Sequence, residues 1–97
     1  MSTRRAYYPE QTVSRRFNFE DVSGTLTDPD SSTCEVYDPT HTSQATPTLT
    51  KINDGVFEMN YTLPNNPQKG DWMIVVTGTI GSYKGIQKFY FEVELLP

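Results

Sequence analysis

Two extended runs joined by Gly81-Ser82 constrain this chain more than any other feature. Residues 72–77, Trp72-Met73-Ile74-Val75-Val76-Thr77, are apolar on both faces of an extended backbone, whereas Lys88 to Glu94 alternates, with Phe89, Phe91 and Val93 on one side. The first run therefore reads as a central strand and the second as a half-exposed one. A central strand folded back through a tight turn onto an aromatic partner implies an antiparallel sandwich with an aromatic core. Trp72 is expected to anchor that core, with Phe57, Phe89 and Phe91 as neighbours. The pairing itself carries no catalytic chemistry.

The rest of the chain has the same character. Residues 5–8 can form a short first strand, followed by a turn at Pro9-Glu10. From Thr12 to Glu20 the sequence alternates, placing Val13, Arg15, Phe17 and Phe19 on one face. Residues 21–30, containing Gly24 and Asp28-Pro29-Asp30, form a polar connection of the kind that crosses between sheets. A third strand spans 33–38 and ends in Asp38-Pro39; residues 40–45 read as a polar bend, and 46–52 as a strand that Pro47 confines to an edge. Asn53-Asp54-Gly55 is a hairpin turn. It leads into the clearest alternation in the sequence, with Phe57, Met59, Tyr61 and Leu63 inward and Glu58, Asn60 and Thr62 outward. Residues 64–70 are a loop.

About seven strands at this spacing, with no internal repeat, indicate an all-β immunoglobulin-like or fibronectin III-like antiparallel sandwich. Seven prolines, abundant Thr and Val and the lack of an apolar i, i+3, i+4 stripe exclude a helical fold. Residues 12–97 make up the sandwich, and residues 1–11 are a basic arm with the short first strand.

Ninety-seven residues suffice for one core. Apolar residues are only 35% of the chain, but five Phe, six Tyr and one Trp bury much area per side chain. Stability of about 5–10 kcal/mol is expected for such a domain. The net charge of -4 divides unevenly: Arg4, Arg5, Arg15 and Arg16 against Glu10 leave +3 on residues 1–16, and the remainder carries -7. An acidic body behind a basic start argues against general nucleic-acid binding, for which Lys and Arg spread over one face. The arginines are either solvated charge or an arm that docks on an acidic neighbour. Met1-Ser2-Thr3-Arg4-Arg5 leads into no apolar stretch that could act as a signal peptide, and no later segment has the length of a membrane span. The chain is expected to be made in the cytosol and kept or assembled there.

Catalytic and metal chemistry are weakly represented. His41 lies in a polar bend with no partner near it in sequence, so a Ser or Cys triad has no evident base. Cys34 is the single cysteine, which excludes an intrachain disulfide and a cysteine-built zinc site, and it reads as a small inward-facing hydrophobe. Asp28, Asp30 and Asp38 could offer oxygen to calcium, yet Asp-Pro pairs are common turn formers and the spacing is not that of an EF-hand. Asn60-Tyr61-Thr62 matches a glycosylation acceptor pattern without a secretion signal. Tyr7, Tyr8, Tyr37, Tyr83 and Tyr90 suit either ordinary strand faces or a carbohydrate-stacking surface. The expectation is no catalytic residue, no metal and no cofactor.

Four passages carry a resemblance: Thr12 to Pro29, Cys34-Glu35-Val36-Tyr37-Asp38-Pro39, Asn53 to Pro64, and Gly70-Asp71-Trp72. Together they resemble the small stand-alone immunoglobulin-like proteins encoded among the structural genes of tailed phages and related archaeal viruses. Phe57 stands where Tyr is commoner in that pattern. The resemblance implies a non-enzymatic virion structural or accessory protein at the head, neck or tail, assembled in the host cytoplasm. Its partners would be other virion proteins or further copies of itself, with no nucleic acid and no membrane. Arg4, Arg5, Tyr7 and Tyr8 are the expected contact residues, since paired arginines bind carboxylates bidentately and tyrosines give contact area at low entropic cost. A second class of function is a module that binds cell-surface glycan or a host protein through loop ends at 28–32 and 64–70.

Overall fold

The computed structural model describes residues 6–95. Eight strands follow in chain order: β1 (Ala6–Tyr7), β2 (Thr12–Asn18), β3 (Ser31–Tyr37), β4 (Ser43–Ala45), β5 (Thr50–Asn53), β6 (Val56–Thr62), β7 (Gly70–Ile80) and β8 (Tyr83–Val93). They form a five-stranded sheet in the order β1-β8-β7-β3-β4 and a three-stranded sheet in the order β2-β6-β5. The result is the expected immunoglobulin-like β-sandwich.

β7 is the centre of the larger sheet. It pairs with β8 from Gly70↔Val93 to Ile80↔Tyr83 and with β3 from Ser31↔Thr79 to Tyr37↔Met73. Trp72, Ile74 and Val76 are fully buried on its inner face, while Met73, Val75 and Thr77 on the outer face are half-buried. The turn to β8 has its positive φ at Gly81 alone, 60°, the II′ arrangement that matches the twist of the strands it joins. The Trp72 ring lies 6.0 Å from Phe91 and 6.4 Å from Tyr61, which comes from the facing sheet. Its indole N–H donates to the Gln68 carbonyl at 2.8 Å, so the one polar atom of the ring is satisfied. Of the expected neighbours only Phe91 touches it. Phe89 stacks on Phe91 instead, and Phe57 packs edge-on against Phe19.

In the smaller sheet β2 and β6 pair from Thr12↔Thr62 to Asn18↔Val56. This register puts Val13, Phe17 and Met59 in the core, as the alternation requires. Arg15 shares their face but is exposed. Its guanidinium reaches out over the Phe89 ring at 4.5 Å, covering a half-buried aromatic while remaining hydrated.

Two segments differ from the sequence reading. The polar bend at 40–45 contains a strand, β4, paired to β3 through Val36↔Ala45 and Tyr37↔Ser43. Three residues with no apolar alternation carry no strand signal; their pairing is imposed by the turn that precedes them. Of residues 46–52, only those from Thr50 pair, as the exposed edge strand β5.

Gly78 on β7 permits the closest approach between the sheets. A Cβ built there would lie 2.4 and 2.5 Å from ring carbons of Phe19, so the absent side chain is the seat of that ring. Replacing Gly78 by Ala is expected to cost about 1–3 kcal/mol in denaturant unfolding, the scale of an overpacked core. Combining it with Phe19→Leu should lower the additional cost of the Ala; an unchanged cost would separate the glycine from Phe19. Trp72→Ala should cost about 3–5 kcal/mol, as for other large buried rings. A loss below about 1 kcal/mol, typical of surface positions, would contradict its role as anchor.

Candidate functional site

At the end of β3 the chain turns through residues 38–42 around a buried carboxylate. Asp38 is 3% exposed. Its Oδ1 accepts from the Thr40 N–H at 2.9 Å, the Thr40 hydroxyl at 2.6 Å and the Thr42 N–H at 3.0 Å, and Oδ2 accepts from the Gln44 amide at 2.7 Å. The Asp38 N–H in turn donates to the Thr42 carbonyl, and the His41 N–H to the Asp38 carbonyl. These donors, the Thr40 hydroxyl foremost, hold the Asp38 carboxyl below its usual range. The carboxylate thus builds the turn that returns the chain as β4. Sequence reasoning missed this role, although Asp-Pro-Thr followed by a second Thr two residues later is the signal of a side-chain-nucleated turn.

The other aspartates considered as cation ligands also hold the fold together. Asp28 binds the Lys51 ammonium through Oδ2 and accepts the Gly55 N–H at 2.8 Å through Oδ1, both of which lower its pKa, Lys51 most. Gly55, at φ 71°, also accepts from the Phe19 N–H at 2.7 Å, and an added Cβ would lie 2.6 Å from the Thr27 nitrogen. The connection at 21–30 is thereby clamped to the β5–β6 turn. Asp30 accepts the Gly81 N–H at 2.7 Å. Asp28 and Asp30 lie before β3 and Asp38 follows it, so the three do not converge, and among the described residues no cluster of three or more metal-binding side chains forms.

Cys34 is buried on the inner face of β3, and burial raises its thiol pKa to about 11, which disfavours the nucleophilic thiolate. His41 is exposed at φ 64° in the turn after the same strand. The fold brings no nucleophile and base together from these two.

Arg4 and Arg5 lie outside the described residues. Tyr7, expected in a contact arm, is instead part of the sandwich: it is 4% exposed and meets Phe91 edge-on at 5.5 Å. The pairing of β1 with β8 in parallel, Ala6↔Glu92 and Tyr7↔Val93, turns its ring inward. Tyr8 is 39% exposed and open to contact. The tyrosines do not make one platform. Tyr37 is half-buried with its hydroxyl bound to Glu35, while Tyr8 and Tyr83 lie beside opposite ends of β8, about 30 Å apart at strand rise.

What the architecture does present is unpaired strand edge. β4 covers β3 only at Val36 and Tyr37, leaving Ser31 to Glu35 beside a groove of about 540 Å³ lined by residues 32–35 and 46–49. On the other side β1 covers β8 only at Glu92 and Val93 among the described residues. Such edges are ready acceptors for another extended chain.

A two-sheet sandwich whose polar groups maintain turns and whose sheet ends in open edges defines the chain as an immunoglobulin-like module. The sequence matches the MG2 domain over residues 1–93, and the chain belongs to that family. The Lin-41 filamin domain is similar in structure, with a TM-score of 0.63 at 13% identity over 97% of this chain and 87% of that one. A DUF4785 family protein from Legionella pneumophila gives a TM-score of 0.64 at 15% identity; 96% of this chain covers 26% of that one. No curated protein matches the sequence. MG2 and filamin-like domains are generally non-catalytic modules. The family and these neighbours support the sandwich and carry nothing about tailed viruses.

The depressed Asp38 pKa has a definite sign. Its folded value lies below the unfolded value of about 4, so its contribution to stability is present above pH 4 and is lost as pH falls through the folded pKa. Asp38→Asn is expected to melt several degrees lower at neutral pH and to lose less on acidification than the parent chain. Equal melting curves for the two proteins from pH 7 to pH 2 would remove the carboxylate from this account.

Proposed function

We propose that the chain is a non-enzymatic structural or accessory module that acts through protein–protein contacts, as a component of a virion at the head, neck or tail of a tailed virus. The observation that carries the contact reading is the five-stranded sheet, in which, among the described residues, the short end strands β1 and β4 cover only part of β8 and β3. Membership of the MG2 family supports a non-catalytic module. The viral setting, the cytoplasmic assembly and the virion partners rest on the cadence of residues 12–29, 34–39, 53–64 and 70–72.

The alternative, glycan or host-protein binding through loop ends, is less favoured. Asp28 and Asp30 direct their carboxylates to Lys51, Gly55 and Gly81, and the Gln68 carbonyl receives the Trp72 indole. These loop ends are thereby committed to the fold.

Arg4 and Arg5 remain the proposed arm, with Tyr8 beside them and Tyr7 as its root in the core. Deleting residues 1–5 tests this while keeping Tyr7 in the chain. The truncated chain should still unfold cooperatively, since the described core including Tyr7 is retained, and should sediment as a monomer where the full chain self-associates. Equal sedimentation of the two chains would overturn the arm.

A further inference from the structure

β8 leaves β1 early. The Glu94 N–H donates to the Tyr7 carbonyl, and the ladder between the two strands covers Glu92 and Val93. Backbone groups alternate in direction along a strand, so the N–H and C=O of Lys84, Ile86 and Lys88 point away from β7, in the direction Glu94 points. Among the described residues no strand lies along them. The open stretch from Tyr83 to Phe89 is about 23 Å long at strand rise.

Three cations flank it. Lys84 and Lys88 project on the outer face, and Arg15 of β2 crosses the inner side above Phe89 at 4.5 Å. Among the described residues none of these three cations is in an ion pair; the pairs that form are Arg16–Glu58, Lys51–Asp28 and Lys51–Asp54. Of the nearby carboxylates, Asp38 and Asp71 share a hollow with Lys88 on the outer face, Glu35 lies two strands away in the same row as Lys88, Glu92 lies beside β1, and Glu20 is at the rim of a hollow beside the β7–β8 turn. That hollow, about 390 Å³, lies between Ile80, Tyr83, Ile86 and Gln87 on one side and Asn18 and Phe19 on the other. Ile86 is 59% exposed and Tyr83 46% exposed.

We propose that this stretch of β8 is a docking edge for an extended acidic polypeptide segment, which adds to the five-stranded sheet as a further strand beside residues 84–88. The proposal deepens the protein-contact reading and rests on it, naming the surface and the chemistry of the partner. Lysines on an edge repel a neutral or basic strand from pairing there, and the same charge draws in carboxylates at the cross-strand positions. The occupant therefore alternates acids, opposite Lys84 and Lys88, with small apolar residues that face Phe89 and the hollow. A second copy is a poorer occupant, because antiparallel pairing of two β8 edges brings Lys84 and Lys88 of each copy beside those of the other.

The test uses the full chain and a capped peptide as long as the open stretch, alternating Glu with Val and Thr, and a matched peptide with Lys in place of Glu. The Glu peptide should bind, weaken as salt is raised, and slow amide exchange at Lys84, Ile86 and Lys88; the Lys peptide should not. Lys84→Glu with Lys88→Glu should weaken the Glu peptide about tenfold and admit the Lys peptide, as expected when two cross-strand pairs change from attraction to repulsion. Ile86→Pro removes an outward N–H without touching the β7–β8 ladder and should abolish binding of the Glu peptide with the melt retained. If that variant does not fold, the charge reversal decides alone. Equal binding of both peptides, no binding of the Glu peptide, or protection at Ser32 and Cys34, whose N–H groups face the open side of β3, would overturn the proposal. So would protection of the β8 amides in the peptide-free chain that is lost on deleting residues 1–5 or on dilution, which would assign the edge to the chain's own start or to a second copy. Failure here leaves the arm experiment unaffected, since that reads sedimentation of a chain with β8 intact.

Discussion

The contact between Trp72 and the rings around it is the interaction on which the sandwich depends. Trp72 starts the inner face of the central strand, Phe91 stacks beside it from β8, and Tyr61 meets it from the opposite sheet. Tyr7 closes the same cluster through Phe91. A chain with only 35% apolar residues has few ways to bury enough surface, and concentrating it in rings gives large burial per ordered side chain. The indole N–H reaches the Gln68 carbonyl, so the ring also fixes the loop that leads into its own strand.

At the other end of the sandwich the sheets are held by close backbone approach rather than by bulk. Gly78 admits the Phe19 ring, and Gly55 admits the backbone of residues 26 and 27 while bonding Phe19 and Asp28. Both glycines serve the crossing between sheets, one by giving space and the other by a left-handed turn that few residues adopt. Phe19 is common to both, bonded through its backbone at Gly55 and seated by its ring on Gly78.

The polar side chains of the loops serve the fold. Asp21, Asp28 and Asp38 each have lowered pKa values, and in every case the cause is hydrogen bonding within a turn or a clamp between turns. Perturbed groups often mark active sites, but structural networks perturb them as well. Here the network is the scaffold of the loops. Among the described residues, the strand edges of the larger sheet are incompletely paired, and it is on these edges that the proposed contacts are placed.

Much of the fold was legible because the core residues obey a period of two. The alternation at 12–20 and 57–63, the two-faced apolar run at 72–77, the alternating run from Lys88 and the turns at Asp54-Gly55 and Gly81-Ser82 each state their own geometry, since side-chain direction along a strand is local. β4 was not legible, because Asp38 creates it and a hydrogen-bonded turn leaves no apolar pattern. Tyr7 was misread as a contact residue because two residues contain no period, and only the parallel pairing with β8 turns its ring inward. The Trp72 neighbours and the seat for Phe19 at Gly78 depend on how far one sheet is shifted over the other. Thus the sequence by itself determined the longer strands, their inward faces and the class of the sandwich. The tertiary structure alone decided which rings meet, which glycines are closely approached and how the short strands β1 and β4 pair, because these depend on packing between residues distant in the chain.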